Sequence, residues 1–374
     1  MKTQILLFIF LLFISLACKQ DESLEPSGIP IEEVIYEGVI EENFNGENIV
    51  LYANSKFDLI IAFDRKMSNG SALRFSLSSL EFPNVLISTD STIWNIFGEG
   101  VSGPRKGENL LTVKSQMGYW FSFATFFPPV TLMGEPIKDR VYDQFNNVDW
   151  LINPSNVITG AIKDGIPALS SPIYIQLNST NCGDNYYVKD HELVTVIKEG
   201  NTLKAYPHKI LDWHEIVNDE ISGNPIAISY CPLTGTSDAW ERTINGKVTT
   251  FGVSGFLYNN NLILYDRETD SLWPQLLRIS ANGRLKDTEP VQVQVTEMTW
   301  AGAKTISCDI KLLSDDTGFS RNYAQYPYGT YKDVEGLLFP VTFEDTRVFG
   351  KERVLNVLID NKAKAYRFSD FEEQ

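Results

Sequence analysis

The run "VLYANSKFDLIIAFDR" at residues 50–65 lies against "AISYCPLTGTSDAWER" at residues 227–242, an offset of 242 − 65 = 177. Three more pairings follow in the same order. "STIWNIFGEGVSG" carries Trp94 where "DSLWPQLLRISANG" carries Trp273. "QMGYWFSFATFFPPVTLM" sets Met117 and Trp120 near Met298 and Trp300 of "EMTWAGAKTISCDIKLL". "LVTVIKEGNTLKAYP" ends in Lys204-Ala205-Tyr206, as "VLNVLIDNKAKAYR" ends in Lys364-Ala365-Tyr366. Self-similarity of this kind is the signature of a repeated structural unit. We read two β-rich repeats, residues 36–215 and 216–374.

Local composition sets the class of fold. Runs of β-branched and aromatic residues, cut by Gly, Asn and Pro, recur at 57–63, 193–197, 225–230, 247–253, 261–265, 291–295 and 354–358. Helical periodicity extends only over the short stretches 209–217 and 139–145. The expectation is a mainly β protein with a few short helices, built by internal duplication. Trp94, Trp120, Trp273 and Trp300 recur in both copies, so a shared core explains them better than a ligand platform. Trp240 answers Phe63 and joins them, and large aromatic side chains suit that role.

Chemistry is better sought where the copies disagree. Cys231 stands opposite Asn54, and the turn Cys231-Pro232-Leu233-Thr234-Gly235 stands opposite the strand-like run from Asn54 to Asp58. After the first Lys-Ala-Tyr comes "PHKILDWHEIVNDEISGNP", bringing His208, His214, Glu215 and Asp219. After the second comes only "RFSDFEEQ". His214 precedes Cys231 by 231 − 214 = 17 residues.

Three segments carry a resemblance: "KAYPHKILDWHEIVNDEISGNPIAISYCPLTGTSDAWER", "FGVSGFLYNNNLILYDRETDSLWPQ" and "NYAQYPYGTY". Over residues 164–368 the chain resembles the bacterial family known as domain of unknown function 3179, and the stretch up to Met133 looks like a degenerate relative of the same unit. Many relatives carry Cys-Pro-x-Cys where this chain has Cys231-Pro232-Leu233-Thr234, so a vicinal disulfide is unavailable. The resemblance implies the fold unit and the site, and no reaction.

Three readings of the site stand side by side. His214, Glu215 and Cys231 are candidate metal ligands, and thiolate with imidazole suits copper or zinc. Cys231 and His214 are alternatively a candidate catalytic pair, the imidazole lowering the thiol pKa. In the third, Cys231 is a small buried apolar residue, as free Cys commonly is, and His214 caps a helix. His208 ranks below His214, and His191 sits among charges. The aromatic stretch from Arg321 to Tyr331 packs over the core or stacks on a sugar.

The N-terminus reads as an export signal. Lys2, an apolar run too short to span a bilayer, and Ala17-Cys18 form a leader over residues 1–17, with Cys18 as the acylated residue of a lipoprotein. Residues 18–35 are a polar tether. These features place the protein in the cell envelope, held by lipid at the outer membrane and open to the cell surface. Removing Cys18 from the four Cys leaves Cys182, Cys231 and Cys308, an odd number, so at least one thiol stays unpaired. Cys182 with Cys308 is one pairing that leaves Cys231 free. A formal net charge of −16 argues against nucleic acid as partner. Two classes of function remain: an envelope enzyme or metal carrier using Cys231 and His214, and a non-catalytic component that binds envelope protein or glycan on the β scaffold.

Overall fold

The computed structural model describes residues 35–67, 70–139, 147–178, 180–182, 186–360 and 362–371. The leader, Cys18 and the tether up to residue 34 lie outside them, and so does the helix expected at 139–145 apart from Asp139. The described protein is mainly β, in many small sheets, with three seven-residue α-helices. None of those helices is long and apolar enough to cross a membrane.

Each copy begins its sheet as an antiparallel meander. Strand Glu37–Phe44 turns at Asn45-Gly46 into Glu47–Asn54, which pairs onward with Leu59–Asp64. Strand Ile216–Ile221 turns at Ser222-Gly223 into Asn224–Cys231, which pairs with Thr236–Glu241. Both turn residues have positive φ in each case, the demand of a two-residue hairpin that Asn-Gly and Ser-Gly meet. Val50 faces Phe63 in one meander and Ala227 faces Trp240 in the other, so the offset of 177 holds in strand register.

The tryptophans occupy matched places. Trp94 lies across from Leu86 and Trp273 across from Leu264, both fully buried. Their indole N–H groups donate to Ser88 Oγ at 2.9 Å and Asp266 Oδ2 at 3.1 Å, each on the neighbouring strand at the start of the intervening turn. Trp120 opens helix α1 (Trp120–Phe126). Its backbone N–H donates to Glu352 O at 2.9 Å. Trp300 likewise opens helix α3 (Trp300–Ile306) and donates to Glu192 O at 2.8 Å. Helices this short are marginal on their own; burial of both tryptophans pins them.

The Lys-Ala-Tyr hairpins pair across the copies. Hairpin Leu193–Glu199 with Thr202–Pro207 takes strands Thr296–Thr299 and Lys311–Leu313 on its two sides. Hairpin Arg353–Ile359 with Lys362–Arg367 takes Ser115–Tyr119 and Thr131–Leu132. Residues 193–313 therefore form a contiguous unit of hairpin, helix, meander, further strands and closing helix. Its counterpart is a split unit, assembled from residues 37–132 and 353–371. In each unit the hairpin Lys and Tyr grip a carboxylate on the first meander strand. Lys204 Nζ lies 2.8 Å and Tyr206 OH 2.6 Å from Asp219 Oδ2. In the split unit Lys364 pairs with Glu42, and Tyr366 OH donates to Glu42 Oε2 at 3.0 Å.

The segments joining these parts favour the contiguous unit. Strands Val157–Thr159, Leu169–Ser170 and Tyr174–Gln176 of the first connection add to Phe251–Tyr258, Ile216–Ile221 and Lys311–Leu313. The corresponding outer edges of Glu37–Phe44 and Thr131–Leu132 carry no such strand among the described residues. A disulfide between Cys182 of the first connection and Cys308, Cα atoms 5.3 Å apart, staples that connection to the contiguous unit, and Cys231 remains a free, buried thiol.

Candidate functional site

Helix α2 (His208–His214) connects the first hairpin to the second meander. It ends sooner than the stretch 209–217 suggests, because Glu215 adopts φ 56° and throws the chain into strand Ile216–Ile221. Tyr230 N–H donates to Glu215 O at 2.7 Å, so counting along the register sets His214 against Cys231. The turn at Glu215 instead sends the imidazole elsewhere. His214 Nδ1 donates to Pro167 O at 2.8 Å, and Nε2 accepts from Tyr323 OH at 2.6 Å. One partner belongs to the first connecting segment and the other to the second, so His214 clasps the two together. With both ring nitrogens engaged, the ring has no lone pair left for a metal or a thiol.

Cys231 Sγ contacts Asn260 O at 3.4 Å. Burial, with the Glu215 carboxyl nearby, pushes the thiol up to about 11, so it is neutral near pH 7 and not in the thiolate form that attacks or binds metal. Glu215 is itself buried, its Oε1 3.5 Å from Tyr328 OH. Burial pushes its carboxyl up to about 8 against that hydroxyl. The thiol thus has the Glu215 carboxyl nearby, while the His214 ring is engaged by Pro167 and Tyr323. Among the described residues no three His, Cys, Asp or Glu side chains are grouped to hold a metal ion, and His214, Glu215 and Cys231 form no exception.

A denser polar cluster lies on the other side of α2. His208 Nε2 is 3.1 Å from Thr195 Oγ1, 3.4 Å from Ser237 Oγ and 3.5 Å from Glu297 Oε2, and its ring stacks on Tyr230 at 4.3 Å. Its Nδ1 is buried and has no hydrogen-bond partner. One helical turn on, Asp212 points from the same face. Its Oδ2 is 3.7 Å from Lys332 Nζ, and its Oδ1 is buried without a partner. Burial holds the imidazole well below its usual range, hence neutral. The same desolvation pushes Asp212 up to about 6 against the pull of Lys332. Glu297 accepts from Ser237 N–H at 3.2 Å and meets Arg353 at 3.4 Å. Burial raises it to about 7 even so. Arg353 also pairs with Asp58 at 3.1 Å.

The cluster gathers parts from both units. Glu297 answers Met117 in strand register, and Gln116 beside it donates to Ser237 O at 2.8 Å while Glu297 takes the N–H of the same residue. His208 answers Phe368, and Asp58 answers Gly235, at offsets of 160 and 177. Asp58 and Gly235 both have positive φ. Only glycine fits at 235, where a Cβ would stand 2.8 Å from the Tyr119 ring. The tyrosine stretch closes over this region. Tyr326 OH donates to Pro232 O at 3.3 Å and Tyr331 OH to Leu233 O at 2.9 Å. Aligning the residues after each Lys-Ala-Tyr, His208 against Phe368, is the sequence signal that points to this cluster.

A duplicated, mainly β protein with a buried polar cluster where its two units meet is the class that fold and site define. The family model described as protein of unknown function (DUF3179) matches residues 20–130 and 163–374, and the chain belongs to that family. No curated protein and no solved structure matches it.

Proposed function

We propose that the protein is a lipid-anchored envelope protein that moves protons on a small ligand at the His208–Asp212–Glu297 cluster. The observation that carries this reading is the pair of buried, unpartnered atoms, His208 Nδ1 and Asp212 Oδ1, on one face of α2. Buried polar atoms without partners are rare and call for an explanation, and groups with strongly perturbed pKa values gather at functional sites. A His208 that donates from Nε2 keeps its Nδ1 lone pair as a base. Asp212, next to the half-exposed Lys332, is the complementary acid or acceptor.

A panel of hydrolase and lyase substrates, assayed with the wild type, His208→Phe and Asp212→Asn, tests it. Turnover lost in both variants with folding intact is expected. Turnover indifferent to both, or a high-resolution structure with both atoms bonded to water in a sealed void, ends the reading. Anchoring through Cys18 is supported by the Cys182–Cys308 disulfide, since such bonds persist in oxidising compartments outside the cytosol. Cys18→Ser should release the protein from membranes; unchanged partitioning refutes the anchor.

A further inference from the structure

A cleft of about 330 Å³ runs between the two units, and Gln294 joins it to a second groove of about 210 Å³ bordered by Asn109, Leu110 and Gly200. Most of its wall comes from residues 112–117 of the split unit and from 289, 290 and 292–297 of the contiguous unit, within two longer matching stretches, 111–117 and 291–297. They are the same stretch of the duplicated fold, 180 residues apart. Their exposure agrees position by position: Leu111 is 59% exposed and Val291 58%, Val113 and Val293 half-buried, Gln116 and Thr296 buried.

The chemistry of the lining narrows what fits. Lys114 and Arg278 are matched by Glu289 and Glu297, so neither sign of charge prevails. No aromatic ring lines the larger cleft, and Phe97 is the aromatic residue at the adjoining groove, so the larger cleft itself offers a sugar no stacking surface. What remains is amide, hydroxyl and branched aliphatic side chains beside extended backbone. On one side, residues 291–293 are tied to strand Thr236–Glu241, through Glu241 N–H to Val291 O and Val293 N–H to Ala239 O, both 2.9 Å. Backbone groups of alternate residues in an extended chain point the opposite way. Gln292 and Gln294 make no backbone hydrogen bond among the described residues.

The fold elsewhere fills such edges with strands, as residues 157–159, 169–170 and 174–176 do on the contiguous unit. We propose that the cleft binds an extended segment of a partner polypeptide by β-strand addition along residues 291–295, with Val293 and Val295 receiving alternate side chains. The site does not depend on the proton-transfer reading, although Glu297 borders both.

The test is selection of a phage-displayed library of linear nine-residue peptides on the purified full-length chain. Enriched peptides should bind at least tenfold more weakly to Gln294→Pro, which deletes one N–H, and within about twofold of wild type to Gln294→Ala. Methylating alternate backbone nitrogens of the peptide should weaken binding comparably with the protein unaltered, which covers the case of a misfolded proline variant. Hydrogen exchange at 111–115 and 291–295 should slow on binding. No enrichment, binding indifferent to both changes, or protection of these segments by self-association of the chain alone overturns the proposal.

Discussion

In the contiguous unit a lysine and a tyrosine hold Asp219, and in the split unit the same two residue types hold Glu42. One tryptophan stands at the same strand end in each, and another opens the same short helix. The units part company around α2. Where the contiguous unit has His208, Glu297 and Ser237, the split unit has Phe368, Met117 and Ile60. Duplication therefore supplied two copies of a framework, and polar side chains accumulated in one of them at its contact with the other. Asp58 and Arg353 show that the split unit contributes charges to the site without owning it.

The framework half of that comparison predicts the largest effect. Asp219→Ala and Glu42→Ala each strand a buried lysine, and each should cost about 3–5 kcal/mol in urea denaturation. If Glu42→Ala costs under about 1 kcal/mol, the two grips are not equivalent. The divergent half predicts a dependence on pH. Glu215 titrates at about 8 in the folded protein and near 4.3 when unfolded. The folded state therefore holds a proton that the unfolded state has lost, and stability falls as pH rises from about 4.5 to 8. Glu215→Gln should reduce that slope, leaving the share that Asp212 and Glu297 carry, and stabilise the protein at pH 8 by on the order of 3 kcal/mol, with little change at pH 4. A wild-type slope retained in the variant would show that Glu215 is ionised in the fold.

A smaller effect belongs to the staple that only the contiguous unit carries. The double variant Cys182→Ser/Cys308→Ser should lose about 2–4 kcal/mol, and equal melting of oxidised and reduced wild type would contradict it. Smallest is the clasp: His214→Ala should cost about 1–2 kcal/mol and speed proteolysis within residues 314–331. An unaltered cleavage rate would mean that Tyr323 and Pro167 hold their segments without it.

Much of the framework is legible in the sequence because it follows from patterns with a short period or a recurring landmark. Strands 193–199, 224–231 and 261–266 are runs of apolar and β-branched residues cut by turn formers, and the tryptophans mark the offset. Residues 291–295 share that composition yet form only one bridge, at Gln292, since their other side faces solvent in the cleft. Helices α1 and α3 are invisible to periodicity because seven residues are two turns. The hairpin exchange is equally hidden, because nothing local in "LKAYP" says which strands it joins. The site was half legible. Seeking chemistry where the copies differ leads to the segment that carries both His208 and His214. The backbone turn at Glu215, which sends the His214 ring to Pro167 and Tyr323, is a single dihedral angle that no residue type announces.

The exchange of hairpins also has a consequence in time. A chain emerges from the ribosome, or through a membrane, from its first residue onward, and domains generally fold in that order. Here the order is inverted. The contiguous unit has every strand of its framework once residue 313 is out, whereas strands Glu37–Phe44 to Thr131–Leu132 wait for Arg353–Ile359 and Lys362–Arg367 to arrive. The earlier-made strands are thus closed after the later-made unit, so the hairpin of residues 353–367 acts as the latch of the split unit. Arg353, which ties Glu297 to Asp58, arrives with them. The site is thus completed only once Arg353 has followed the contiguous unit out.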